Sequence, residues 1–152
     1  MNIRPFEDED APTVSSIIER CFTRLDLGGH TPEGIRLQIA GSQPNSLIAR
    51  SRTTRYFVAT VGGSIVGICG HGDGKVQTLF VDIDHHGRGI GKALLTTVLA
   101  DAEQNGLTKI TTWSTMYAED LYSSFGFEKE RELLLPEGSR DIVLVEMSKK
   151  LP

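Results

Sequence analysis

Val81-Asp82-Ile83-Asp84-His85-His86-Gly87-Arg88-Gly89-Ile90-Gly91-Lys92 is the stretch on which the reading of this chain turns. The residues before it, Lys75–Asp82, have the composition of a strand. Behind it, Ile90, Ala93, Leu94, Val98, Leu99 and Ala102 recur at the spacing of one helical face. That spacing predicts a helix over Ile90–Gln104, with Gly106 at the left-handed stop position. Closely spaced glycines let backbone amides approach a ligand, and a helix N-terminus carries about half a positive charge. With Arg88 and Lys92 beside it, the loop suits a pyrophosphate. Read from the glycines alone, a tight strand-to-helix turn with no ligand is the lesser alternative. Two phosphate motifs do not fit. A Walker A loop would need glycine at His86 and a hydroxyl at Ala93. A dinucleotide fingerprint would need a different glycine spacing, and Lys109 stands where its acidic residue belongs.

Working outward, the 152 residues suffice for one domain, and no repeat or linker divides them, so 1–152 is read as a single domain. Sixteen Lys and Arg against twenty Asp and Glu leave a net charge of −4, which argues against a nucleic-acid partner. The apolar runs, such as Leu133-Leu134-Leu135, are too short for a membrane span, and Met1–Asp10 does not read as a secretion signal. Two cysteines, Cys21 and Cys69, make no disulfide framework and no metal-ligand pattern, so the expectation is a cytoplasmic protein without a metal. Asn2–Phe6 reads as a strand and the stripe Val14, Ile17, Ile18, Cys21, Phe22 and Leu25 as a helix ending near Arg24. Thr31-Pro32 opens a second helix to about Ala40, and Ser42–Thr54 stays ambiguous, with a helical turn near Leu47-Ile48. Tyr56–Val61 and Ser64–Gly70 flank Gly62-Gly63, a hairpin signal, and His71–Gly74 reads as the loop before the third strand of this meander. After the long helix come a strand at Thr108–Ser114, a short helix at Tyr117–Phe125 and a closing hairpin, Phe127–Leu135 with Asp141–Lys149. The order β-α-α-β-β-β-α-β-α-β-β predicts an α/β (α+β) fold, a twisted, mixed but mostly antiparallel sheet of about seven strands flanked by about four helices.

His86-Gly87-Arg88-Gly89-Ile90-Gly91 resembles the Gln/Arg-x-x-Gly-x-Gly/Ala acyl-CoA loop of the GNAT superfamily of N-acetyltransferases. Leu79-Phe80-Val81 is similar to that family's fourth strand, and Lys92-Ala93-Leu94-Leu95 to the helix that follows the loop. Some 30 residues on, Leu121-Tyr122-Ser123-Ser124-Phe125-Gly126-Phe127 resembles the family's aromatic/Leu-Tyr-x-x-x-Gly-Phe segment. One departure stands inside the loop, where His86 replaces the usual Gln or Arg.

The resemblance implies acetyl transfer from acetyl-CoA to an amine by direct attack through a tetrahedral intermediate. Gly87, Arg88, Gly89, Ile90, Gly91 and Lys92, with His86, would hold the pyrophosphate. The pantetheine arm would lie between splayed fourth and fifth strands against backbone groups of Leu79 and Val81, and an amide near Phe80 or Val81 would polarise the thioester. Thr115 falls where many members carry an Asn on the pantetheine, and Tyr122 matches the general acid. A phenol, with a reference pKa near ~10, remains a proton donor at neutral pH.

A general base is harder to find. A lysine-like amine is only about one part in 10³ neutral at pH 7, a handicap of roughly 4–5 kcal/mol. The positions matching the family's strand base are Lys75 and Gln77; Gln77 would at most orient a water. His71, Asp73, Asp82, Asp84 and His85 read as solvated loop groups, and Trp113 reads as core, with a place lining the acyl end of the cleft as the alternative. The acceptor is expected to be a small-molecule amine, with Phe22, Leu25, Asp26, His30 and Glu137 as candidate wall residues and Asp26 and Glu137 as carboxylates for a cationic amine. Dimerisation is common in the family, so a homodimer is among the expectations. A non-catalytic acyl-CoA-binding or sensor domain is the alternative, motivated by His86, Thr115 and the missing base.

Overall fold

The N-terminal strand β1 (Asn2–Pro5) pairs with β2 (Arg55–Val61), the first strand of a meander completed by β3 (Ser64–Gly72) and β4 (Lys75–Val81). The two tight turns, Gly62-Gly63 and Asp73-Gly74, hold all four residues at φ between 53° and 83°, the left-handed pair that matches strand twist in a two-residue hairpin. His71 and Gly72, expected in a loop, therefore finish β3, because the Asp-Gly pair closes the turn alone. The computed structural model describes residues 1–152.

Between β1 and β2 lie α1 (Ala11–Arg24), α2 (Pro32–Ala40) and α3 (Pro44–Arg50). Thr31 caps α2 by accepting the Gly34 N–H at 3.1 Å, with Pro32 at the first helical position. The third helix raises the count to five, because seven residues are too few to show a helical stripe in sequence. After the glycine loop, α4 (Ile90–Gln104) leads to β5 (Lys109–Ser114). A 3₁₀ turn at Met116–Ala118 runs into α5 (Glu119–Ser124), splitting the single helix expected there. β6 (Glu128–Leu135) and β7 (Ile142–Lys150) close the chain.

The seven strands form one sheet in the order β1-β2-β3-β4-β5-β7-β6. Alternation sends side chains to opposite faces. Ala59, Val66, Cys69, Val76, Ile110, Val145 and Met147 pack under Ile90, Leu94, Leu95 and Val98 of α4. Tyr56, Val58 and Ile68 pack under Val14, Ile18 and Phe22 of α1 and Leu47 of α3.

Every neighbouring pair is antiparallel except β4 and β5, which are parallel and in register only at Lys75↔Thr111 and Val76↔Thr112. Beyond Val76 they part. The cause lies in β4: its register with β3 slips between Ile68 and Gly70, opposite Phe80 and Gln77, and Thr78 sits at φ 60°. Such a bulge bends its strand and sharpens its twist, which turns β4 away from β5 and opens a cleft between α1 and α5.

Candidate active site

One wall of the cleft is the end of β4. The Asp82 N–H donates to the Val66 carbonyl at 2.8 Å, which makes Gly67↔Val81 the narrow, non-hydrogen-bonded pair of the ladder. The N–H and C=O of Val81 consequently point off the sheet toward the gap, while those of Phe80 turn to β3. Of the two amides expected near the thioester, Val81 is the one turned to the gap. Its carbonyl is already used: His86 donates Nε2–H to it at 2.8 Å and the Cys21 thiol approaches at 3.3 Å. The Nδ1 of His86 then accepts from the Tyr117 hydroxyl at 3.3 Å. His86 thus braces the loop against β4 and the turn after β5.

Beside this wall is a cavity of about 310 Å³ lined by Leu79, Val81, His86, Gly87, Gly89, Ile90, Gly91 and Lys92, with Thr115, Tyr117 and Leu121 opposite. Gly87 and Gly89 stand at φ 77° and 78°, and a Cβ on either would meet nothing, so the loop is shaped by backbone conformation and not by crowding. No side chain caps α4 and no acid lies in its first turn. The N–H groups of Ile90, Gly91 and Lys92 accordingly have no intrahelical acceptor. Their positive end opens on the cavity with Lys92 at its rim, and the arrangement fits a phosphate group. Arg88 is exposed and lies outside the lining.

A second cavity, about 370 Å³, lies on the other side of the same gap and meets the first at Leu79, Phe80, Thr115 and Ala118. Phe22, Gln38, Ser42, Arg50, Lys75, Gln77, Thr78, Trp113, Tyr122 and Leu144 are among its walls. Tyr122 is only 3% exposed and packs edge-on against Phe127 with ring centroids 5.2 Å apart. Burial pushes its phenol above the usual tyrosine range; the Cys69 thiol adds to that and the Thr112 hydroxyl acts against it. The group is a fixed, protonated donor at neutral pH. Thr115 accepts the Ala118 N–H at 3.2 Å, capping the turn that carries Tyr117.

Leu79, Val81, His86, the loop glycines, Lys92, Thr115 and Tyr122 therefore meet around one gap. Other expectations need correction. Gln77 lines the second cavity, but its amide is tied at both ends, donating to the Gly72 carbonyl at 3.1 Å and accepting from Thr54 at 3.3 Å. Trp113 is not core: it is 42% exposed, with the Lys75 ammonium 3.8 Å above its ring and its Nε1 donating to Glu146 at 3.2 Å. His71 and Asp82 are not solvated loop groups. His71 is 5% exposed and bound to Asp101 at 2.7 Å, which Arg55 also holds at 2.6 Å. Asp82 is buried, with Arg20 at 3.2 Å and His85 at 3.6 Å. Asp26 and Glu137 do not line the second cavity, so no carboxylate waits there for a cation. Arg50, Gln38 and Ser42 went unnoticed in the sequence, where nothing but the adjoining helices would have brought them near the gap.

Comparison with known proteins bears on this geometry. A family model described as an acetyltransferase (GNAT) domain matches residues 30–151. N-acetyltransferase 8 of Rattus norvegicus is 36% identical over a stretch that covers 53% of this chain and 42% of that protein, so the chain spans less than half of that relative's length. Among solved structures, a GCN5-related N-acetyltransferase from Rhodopseudomonas palustris superposes with a TM-score of 0.88 at 22% identity, covering 99% of this chain and 95% of that one. The PaiA N-acetyltransferase of Thermoplasma acidophilum, solved in complex with coenzyme A, gives 0.79 at 20% identity, covering 98% of both.

Proposed function

Because the chain belongs to the GNAT acetyltransferase family, we propose that it transfers an acetyl group from acetyl-CoA to the amine of a small molecule. The observation that carries the reading is the meeting of the two cavities at Leu79, Phe80, Thr115 and Ala118, with the glycine loop on one side and Tyr122 on the other. Acetyl-CoA supplies an activated thioester. The loop amides and Lys92 hold its pyrophosphate, and Leu79 with the Val81 N–H receives its arm along the bent end of β4. The amine enters from the side of Phe22 and Trp113 and attacks the carbonyl carbon directly. We assign the Val81 N–H to the developing oxyanion and the Tyr122 hydroxyl to the departing thiolate, as general acid.

No Asp, Glu or His lines the acceptor cavity. The amine's proton then leaves through water, and amines that are neutral near pH 7 are favoured as acceptors. The same observation favours a second reading, an acyl-CoA-binding or sensor domain without turnover. Thermal unfolding with acetyl-CoA, with ATP and NADPH as controls, tests the donor side. At 100 times the dissociation constant the ligand adds about 2.7 kcal/mol to the folded state, and a selective rise of the midpoint is expected. Thiol release across an amine panel then separates the readings: turnover lost in Tyr122→Phe supports the enzyme, and binding with no turnover supports the sensor.

A further inference from the structure

We propose that the acceptor is an amine that also carries a carboxylate, and that Arg50 holds the carboxylate. The inference rests on the acetyl-transfer reading and adds the substrate class to it. Arg50 and Lys75 are the only charged residues lining the acceptor cavity, and both are cations. A polycationic amine would meet repulsion there with no acid to relieve it. Lys75 has its partners already, lying 3.8 Å over the Trp113 ring and acting on the Glu146 carboxyl.

Arg50 has none. Arg4, Arg20, Arg36, Arg52, Arg55 and Arg131 each contact a carboxylate, and the other unpaired arginines, Arg24, Arg88 and Arg140, are exposed. Arg50 alone is drawn inward without a counter-ion, and its Nε is buried with no hydrogen-bond partner. It ends α3, where a cation is favoured by the helix dipole. Its neighbours nevertheless serve the last carbonyls: the Ser51 hydroxyl donates to Ile48 at 2.6 Å and the Arg52 N–H to Ala49 at 3.2 Å. A guanidinium presents N–H groups in a fork that matches a carboxylate, and the terminal nitrogens of Arg50, unlike its closed-off Nε, stay open to one. The buried Ser42 lines the cavity with Arg50 and offers a further donor, and the Gln38 amide, whose nitrogen meets His30 Nε2 at 3.3 Å, has one N–H left to add. Phe22, Phe80, Trp113 and Leu144 leave an apolar or aromatic body for the rest of the acceptor.

The test uses the full chain with 4-aminobenzoate and L-phenylalanine, each paired with its carboxamide. Thiol release at saturating acetyl-CoA gives KM and kcat, and calorimetry on the CoA-loaded protein gives binding without turnover. In the wild type, the carboxylate of at least one pair is expected to have a KM or dissociation constant about ten- to hundredfold below its amide, the range of a charge-assisted pair. Arg50→Gln should close that gap through the carboxylate's KM, with far less change in kcat, and the acetyl-CoA-induced midpoint shift should persist as the control for folding. Arg50→Lys, which keeps the charge and loses the fork, should retain only part of the preference. A carboxylate preference seen in calorimetry with no thiol released would sink the enzyme reading and leave the Arg50 site standing. Amides that bind as well as carboxylates, a preference that survives Arg50→Gln, or no carboxylate binding while acetyl-CoA binds normally would each overturn the proposal.

Discussion

Replacing Tyr122 with Phe removes one oxygen from a side chain that is 3% exposed and leaves its edge-on contact with Phe127 in place. The Thr112 hydroxyl is turned to the Val76 carbonyl at 3.4 Å, so the phenol gives up no hydrogen bond within the protein and the structural cost is expected to stay below about 1 kcal/mol, at most roughly 2–4 °C of midpoint for a domain of this size. The catalytic cost is expected to be larger. A positioned general acid contributes about 10²–10⁴ in rate, and a thiolate, with a parent pKa near ~8.5, leaves more readily than most groups. The low end, 10²–10³ in kcat or about 2.7–4 kcal/mol, is therefore the expected loss. The assay is thiol release at saturating acetyl-CoA with the best acceptor, beside thermal unfolding of both proteins. Because burial raises the phenol's pKa, the acid stays protonated beyond the ordinary tyrosine value of about 10. The wild-type rate should consequently show no falling limb from this group below that pH. A kcat within about threefold of wild type, with the midpoint unmoved, would show that the departing thiolate does not need Tyr122.

Two further outcomes concern the scaffold. Asp10 accepts two hydrogen bonds from Arg4, at 2.8 and 2.9 Å, and one from the Glu7 N–H at 2.8 Å, so Asp10→Asn should lower stability at pH 7 by about 2 kcal/mol in urea unfolding. The Arg4 hydrogen bond holds the Asp10 carboxyl below its ordinary value; its stabilisation is present above the unfolded pKa of about 3.9 and lost as pH falls through the folded one. The difference between wild type and variant should shrink in that acid window, and a constant difference would refute the linkage. Gly34→Ala would set a Cβ 1.9 Å from the Asp141 carbonyl oxygen, so α2 must move away from the start of β7. A loss of about 3 kcal/mol or more is expected by denaturant unfolding; unchanged stability would mean that this approach is not as close as described.

The stretch from Lys75 to Gln104 was legible because its signals are local. Glycines at 87 and 89 take the positive φ that other residues resist, and the helical stripe from Ile90 to Ala102 follows from a period of 3.6. The same holds for the hairpin at Gly62-Gly63 and for the cap and proline that open α2. The frame around Tyr122 was legible through resemblance. Errors gathered where burial depends on partners distant in sequence. Trp113 carries the most apolar surface of any residue type, yet its place on β5 faces the widening gap, and Lys75 and Glu146 meet it there. His71 gave no hint of Asp101, thirty residues away on α4.

By itself, then, the sequence determined the strand, the glycine loop, the helix and the succession of the seven strands, because backbone preference and hydrophobic period act between near neighbours. Tertiary structure decided the acceptor cavity. The bulge at Thr78 turns β4 from β5, and α2, α3 and the turn between them, packed by α1, carry Gln38, Arg50 and Ser42 to the opening. Nothing next to Arg50 in the sequence marks it out, and only the folded chain denies it both full hydration and a counter-ion.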